Sequence, residues 1–484
     1  MGGCNRSQCL VMPTLPAPLF NKVYKNANGV VLTDEAARQY NGFLERLGGV
    51  SIRPGEVLAI NPAARNDGLY MWPDKNYIVC VDNGNVHLRT VSGQTLVNAF
   101  AHGVATFPTG VPVIFCNDAN TVFMAAGGKI NYVSTVGLVT ELLDTDAPTN
   151  VTHVAFIDGY ILANNGDGKL YFSNIPTTTD WSALDFASAE GNPDKIQGIY
   201  VVQRQIFLIG TISTELWEND GTTPFSRVPG GLIEMGCAAK YSPIKFGDSL
   251  MWLNHDWEFV QFTGTNVKLI SSDFDKEIQD FNVVSDCIGS LVKKGGKTYC
   301  LFYFPTEQRT LAYNPIEEDW SEWVTWNSSS MSWMPYDCRA AVRDISTGQV
   351  FVGKERAQLI ACLDADSRVD LTGAATSLPF KFFRQTGFVD YGTGKVKRNE
   401  ELRIRVTRGK AHVTDPKLML RYRNNGSNTW SNIRDISLGS IGETEHHVKF
   451  SRMGTYRSRQ YEISCTDNVP LTMARAEEDI TVLR

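Results

Sequence analysis

The residues of this 484-residue chain whose types could do chemistry are few, and their spacing works against most of them. Gly296-Lys297-Thr298 has the ending of a P-loop, which wraps phosphate in backbone N–H groups. That motif needs a glycine five residues before Gly296, and the position holds Leu291. Gly166-Asp167-Gly168 begins like a dinucleotide fingerprint but has Tyr171 where the third glycine belongs. No Gly-x-Ser-x-Gly elbow is present. His446-His447 is the one adjacent histidine pair. Neighbours on a strand point to opposite faces, so the two cannot grip one metal together. His87, His102, His153, His255 and His412 are isolated. Glu317-Glu318-Asp319 gathers carboxylates as a glycosidase requires, but it lies between two strand-like runs, where a solvated turn is the simpler reading. The sequence thus offers no catalytic, cofactor or metal residue, and a non-enzymatic protein is expected.

Charge gives the remaining candidate. From Lys381 to Arg459 there are 17 Lys+Arg against 7 Asp+Glu, leaving 29 against 45 for the rest of the chain. Within this basic stretch Arg452, Arg457 and Arg459 form a candidate interface for an acidic protein surface or for DNA phosphate. They read as well as a solvated face with local ion pairs. No recognition helix or RNP-type aromatic pattern accompanies them. Asn425 stands in a turn, Asn424–Trp430, that is similar to the sialidase Asp box, itself a hairpin device rather than a catalytic one.

The elements that must position these residues are strands. Short β-rich runs recur, among them Tyr77–Val81, Val122–Ala126, Gln205–Gly210, Ser249–Leu253 and Thr298–Phe304, separated by Asn-Gly and Asp-Gly turns. Two segments read as helical: Thr33–Leu47, with Phe43, Leu44 and Leu47 on one face, and a short turn around Asp273–Phe281. Pairs of hairpins recur about every 40–50 residues, the spacing of propeller blades. The expectation is an all-β chain: an N-terminal arm with a short helix over 1–50, a β-propeller of six or seven blades over 51–370, and a C-terminal β-sandwich or barrel over 376–484. A pair of sandwiches is the alternative to the propeller. In the last unit Leu402, Ile404 and Val406 should point inward while Arg403 and Arg405 share a solvated face.

Composition agrees. Hydrophobic residues at 43% and charged residues at 20% exclude a disordered chain. No run approaches the ~18 apolar residues of a membrane span, so no membrane insertion is expected. The N-terminus lacks a signal-peptide core, and Arg6 replaces the Ser or Thr that myristoylation of Gly2 wants. The ten cysteines form no Cys-x-x-Cys, and Cys80, Cys116, Cys300 and Cys362 sit in apolar runs, as reduced, buried thiols of a cytoplasmic chain would.

Several stretches together resemble the packaged-DNA stabilisation, or tail hub and nozzle, proteins of short-tailed bacteriophages. They begin with Asn21–Gly29 and sharpen at Thr214, Glu215, Trp217, Gly221, Pro224 and Phe225, followed by Gly247-Asp248-Ser249-Leu250 with Trp252 and Leu253. The helical element at Lys268–Phe281 follows, then the strand pair Tyr299–Trp323 ending in Trp320 and Trp323. In the terminal unit Asp415-Pro416, Thr429-Trp430, Leu438-Gly439, Arg452, Gly454 and Arg457 continue the likeness. Departures are Asn425 through Trp430, which replace an Asp-Gly-Gly-x-Thr-Trp turn, and Phe450, which replaces a tryptophan.

The resemblance implies a structural virion protein of the tail, assembled in the host cytoplasm. It implies a homo-hexameric ring below the portal and its head-to-tail adaptor ring. That ring continues the DNA channel, retains the packaged genome and anchors tail fibres, spikes or a needle or plug. Double-stranded DNA would pass through without sequence-specific binding. The rivals are a propeller tail protein that binds or hydrolyses host glycans, and a scaffold propeller of cytoplasmic complexes.

Overall fold

A computed structural model describes residues 15–20, 38–45, 48–175, 177–188, 194–221, 224–264, 266–271, 275–327, 329–408, 413–443 and 445–483. The Gly2 and Asn21–Gly29 readings lie outside them. The local unit is the tight hairpin. Tyr77–Asp82 turns into Asn85–Ser92 through Asn83 and Gly84, at φ 48° and 83°. Two consecutive residues at positive φ give a turn whose twist matches that of the flanking strands.

Repetition of such hairpins gives four-stranded antiparallel blades. They cover 66–104, 114–141, 153–188, 196–233, 244–269, 288–322, and 340–364 with 55–60. Six are separate four-stranded sheets, and the 288–322 set continues outward into a nine-stranded sheet. An apolar cluster fills each gap between neighbours. Trp72, Val79 and Met124 lie between the first two blades, and Leu69, Ile78 and Phe351 between the last and the first. The strand Lys297–Phe304 shows why a blade strand lacks polar alternation. Cys300, Phe302 and Phe304 face the fifth blade while Tyr299 and Leu301 face the seventh, so both faces are buried.

The ring closes through the two ends of the propeller segment. Gly55–Ile60 is the outermost strand of the last blade, antiparallel to Ile360–Asp364. The first stretch of the expected propeller span therefore belongs to the seventh blade and not to the first.

Two further sheets pack face to face. One holds Arg38–Tyr40, Phe382–Gln385, Arg459–Cys465, Lys417–Asn424 and Arg434–Ser437. It is joined to the sixth blade by parallel pairing of Tyr40 with Glu322. The other holds Gly42–Leu44, Val50–Ile52, Leu471–Val482, Lys397–Arg408 and His446–Ser451, with Leu15–Pro16 and Thr455–Tyr456 at its margins. Leu402, Ile404, Val406 and Met473 meet Phe382, Leu418, Leu420 and Ile463 in one core, with Leu19 and Phe20 beneath.

The N-terminal segment departs from expectation. In place of a helix over Thr33–Leu47, Arg38–Tyr40 and Gly42–Leu44 are strands, with Asn41 between them at φ 59°; residues 33–37 and 46–47 lie outside the described set. Sheet pairing outweighs the local helical pattern. A side chain at Gly42 would lie 2.5 Å from the Phe382 ring. Arg38–Tyr40, Gly42–Leu44 and Val50–Ile52 are thus strands of the sandwich and not a separate arm. The expected turn near Asp273–Phe281 is a short helix, Asp275–Gln279.

Candidate interaction surface

The groups that looked reactive are structural where described. Gly295 and Gly296, at φ 60° and 76°, form a hairpin turn. Lys297 beyond it donates to the Glu45 carboxylate and the Ser51 hydroxyl, tying the sixth blade to the sandwich. Asp319 is buried and accepts from Gln39 Nε2 and the Leu44 amide, both at 3.1 Å. Glu318, at φ 51°, turns away to Lys268, so the carboxylate cluster does not converge. Asp167 accepts from its own turn and from Tyr171. His446 pairs with Glu443 and His447 with Glu445. Among the described residues no three His, Cys, Asp or Glu side chains are grouped to hold a metal ion, and no helix is long and apolar enough to cross a membrane. The eight described cysteines are buried and form no disulfide. Burial pushes the Cys80 and Cys300 thiols up to about 12, which leaves almost no reactive thiolate at neutral pH.

The three candidate arginines separate. Arg459 is fully buried, with Nε on Asn424 Oδ1 at 2.8 Å and Nη2 on the Met453 carbonyl at 2.7 Å. Its guanidinium lies 4.0 Å from the Tyr456 ring centroid and 4.3 Å from that of Tyr422. It is a core residue of the sandwich, out of reach of a partner at the surface of this chain. Arg452 and Arg457 are exposed. Arg457 donates to the Gly394 carbonyl, and its amide and that of Ser458 bind Asn425 Oδ1, which anchors the Asn425-Gly426 turn. Arg403 and Arg405 lie on a strand whose Leu402, Ile404 and Val406 are fully buried, and they pair with Asp479 and Glu445. That face is the ion-paired surface that period-2 alternation implies.

A buried ionic joint links propeller and sandwich. Arg53, between Val50–Ile52 of the sandwich and Gly55–Ile60 of the last blade, makes a bidentate pair with Asp370 at 2.9 and 2.6 Å. Its Nε donates to Asn41 Oδ1, and Phe380, Tyr336 and Trp323 surround the guanidinium at 3.8–5.0 Å. Beside it Lys354 pairs with Glu56 at 2.7 Å, and Tyr336 donates to the same carboxylate. Such a fully hydrogen-bonded cluster fixes one relative arrangement of the elements that supply it.

The outer face of the sandwich sheet carries a groove of about 500 Å³. Arg421 and Arg423 stack over Trp430 at 4.8 and 5.0 Å. Across the groove, Trp326 and Trp333 of the hairpin Val324–Asn327/Ser332–Pro335 meet edge to face at 4.8 Å. The sequence reading did not single out this groove. Its signal was there in the tryptophans of Trp320–Trp333 and in the basic residues at alternate positions 421 and 423. What was hidden is the long-range pairing that brings them together.

A closed ring of blades joined to a two-sheet sandwich defines a β-propeller protein. Residues 79–368, more than half of the chain, match the family model described as Bacteriophage P22 Gp10, beta-propeller. The chain belongs to this family of phage packaged-DNA stabilisation and tail hub proteins, and is a phage structural protein, a component of the virion. No curated protein matches it. Among solved structures it is similar to the WD40 beta propeller domain of Doa1, at 11% identity over 64% of this chain and 97% of that one (TM-score 0.42). It is similar to the RRP9 WD40 repeats, at 8% identity over 65% and 99% (TM-score 0.42). The computationally designed Ika8 protein follows at 12% identity over 64% and 99% (TM-score 0.38).

The motifs that carried the family resemblance have structural work. Trp217 donates to Glu215 Oε2 on the same face of its strand, Trp252 to the Gly236 carbonyl, and Trp320 to the Ile270 carbonyl. All three indoles are buried.

Proposed function

We propose that this chain is the hub, or nozzle, subunit of a short-tailed phage tail. Six copies form a ring below the portal and adaptor, continue the DNA channel, hold the packaged genome and anchor the tail appendages, without catalysis. The observation that carries this is the family match across the propeller. The build of the chain suits it. Closed blades leave few sheet edges to pair wrongly, and the Arg53–Asp370 joint resists relative movement under load. The exposed Arg452 and Arg457, on the basic unit, are suited to dock against an acidic neighbouring ring. Electron microscopy of particles tests the reading: a six-fold ring on the tail axis is expected, and particles assembled without the chain should package DNA and then lose it. Particles that keep their genome without it would overturn the proposal.

A further inference from the structure

The groove on the sandwich sheet has cation chemistry that nothing in the hub role uses. Four cations line it, and three are committed: Arg38 is engaged with the Tyr40 phenol. Glu462 takes both Nε and Nη2 of Arg421, at 2.7 and 2.6 Å. Arg423 is buried and donates through Nε to Gln460 Oε1. Lys381 differs. Its ammonium lies 5.9, 5.8 and 5.5 Å from the ring centroids of Trp326, Trp333 and Phe383, and among the described residues it has no ion pair or hydrogen bond. Burial holds its pKa below the usual lysine value, so an arriving anion would restore stabilisation that water no longer supplies.

The number of open cations decides the class of ligand. A nucleic acid places a charge at every nucleotide and needs a track of cations, whereas this floor offers Lys381 with the Glu462 carboxylate close by. A polypeptide needs one carboxylate there and an apolar side chain for the indoles. The floor strands Phe382–Gln385 and Arg459–Cys465 are paired on both sides, so recognition falls to side chains and not to an added strand. We infer that the groove receives an acidic segment of a partner polypeptide, one carboxylate on Lys381 and a neighbouring large apolar side chain against Trp326, Trp333 and Trp430. The volume falls within the range of about 300–1,000 Å³ usual for ligand sites. The inference rests on the hub reading only in taking the partner to be another protein of the particle.

The test is photo-cross-linking in assembled particles that carry the full chain with Trp430→p-benzoylphenylalanine, read by mass spectrometry. The expected product joins position 430 to a segment rich in Asp and Glu from a different protein. Its yield should fall at least tenfold in a Lys381→Met background, which keeps the aliphatic stem, and persist in Lys381→Arg. Cross-links to this chain, to a second copy or to nucleic acid, no cross-link at all, or a yield unchanged in Lys381→Met would each overturn the inference. The amount of the chain in the same particles, and its position on the tail, report on the hub reading separately.

Discussion

In the propeller nearly every strand pairs with the strand next to it in sequence, and the gaps between blades are filled with apolar side chains. The sandwich interleaves the two ends of the chain. Val50–Ile52 pairs with Leu471–Val482, and Arg38–Tyr40 with Phe382–Gln385. It also buries guanidinium groups: Arg384, donating to the Leu19 carbonyl, and Arg459. The closing strand of the ring, Gly55–Ile60, leaves the sandwich three residues after Val50–Ile52 ends. Opening the propeller at its seam therefore means disturbing the sandwich as well. The blades supply repeated local stability, and the sandwich works as the clasp.

Breaking the clasp should have the largest effect. Asp370→Ala leaves the Arg53 guanidinium buried and unpaired, and removal of one partner of a buried pair costs about 3–5 kcal/mol. Asp370, in the hairpin Val369–Gly373/Thr376–Pro379, holds Arg53 on the segment that runs from sandwich to propeller. Calorimetry should therefore show propeller and sandwich melting apart in the variant and together in the parent. One cooperative transition with little loss of stability would mean that the two units are coupled elsewhere.

Next comes a change confined to the propeller. A side chain at Gly289 would place its Cβ 2.2 Å from the Ser242 carbonyl oxygen and 2.6 Å from Ile244, between the fifth and sixth blades. The first of these is backbone and cannot step aside, so Gly289→Ala should destabilise by about 3 kcal/mol, the upper end for overpacking. In a double variant with Asp370→Ala, only the propeller transition should shift.

The contrast between local and distant pairing also explains what was legible. The blade strands were, because hairpin spacing and Asn-Gly turns are local signals; Gln205–Gly210 and Ser249–Leu253 end where their residues say. Arg38–Leu44 was not, since its local pattern of Phe43, Leu44 and Leu47 suits a helix while Arg38–Tyr40 is held by Glu322 and by Phe383–Gln385, some 280 to 347 residues away. The same distance hid the groove and the joint. Arg459 looked like Arg452 and Arg457 in sequence, and only the Tyr422 and Tyr456 rings around it show that it is core. The charge count of the basic unit was right, but counting cannot separate an arginine that faces water from one that faces tyrosines.

A pH effect should also belong to the propeller alone. His153, at the start of the innermost strand of the third blade, is fully buried, with Nε2 3.1 Å from the Lys240 carbonyl and 3.2 Å from Tyr200 Oη, and with Tyr241 stacked 5.6 Å away. Burial first, and the nearby Lys240 charge after it, lower its pKa to about 3 against the backbone hydrogen bond that opposes them. The unfolded imidazole titrates at about 6.5, so below that pH the unfolded chain takes up a proton that the folded chain does not. Stability should then fall by about 1.4 kcal/mol per pH unit, or about 2 kcal/mol between pH values of about 7.5 and 5. Urea denaturation of His153→Asn across this range should lack that part of the slope, and an unchanged slope would place the proton elsewhere.

The smallest expected effect on stability separates surface from core within the sandwich. Arg452→Glu and Arg457→Glu act on exposed side chains, and surface changes of this kind usually stay within about 0.5 kcal/mol. Arg459→Glu sets a carboxylate among Tyr422, Tyr456 and the Met453 carbonyl, in a site of acceptors and aromatic faces that suits a cation, so the sandwich should fail to fold. The double variant Arg452→Glu/Arg457→Glu is therefore the clean probe of docking: it should melt like the parent in a purified sample yet load poorly onto phage tails in an assembly assay. Loading at the parental level would remove these two arginines from the contact with the neighbouring ring. Electrostatic docking would then have to be sought on the acidic remainder of the chain, whose surplus of carboxylates is the larger of the two charge imbalances.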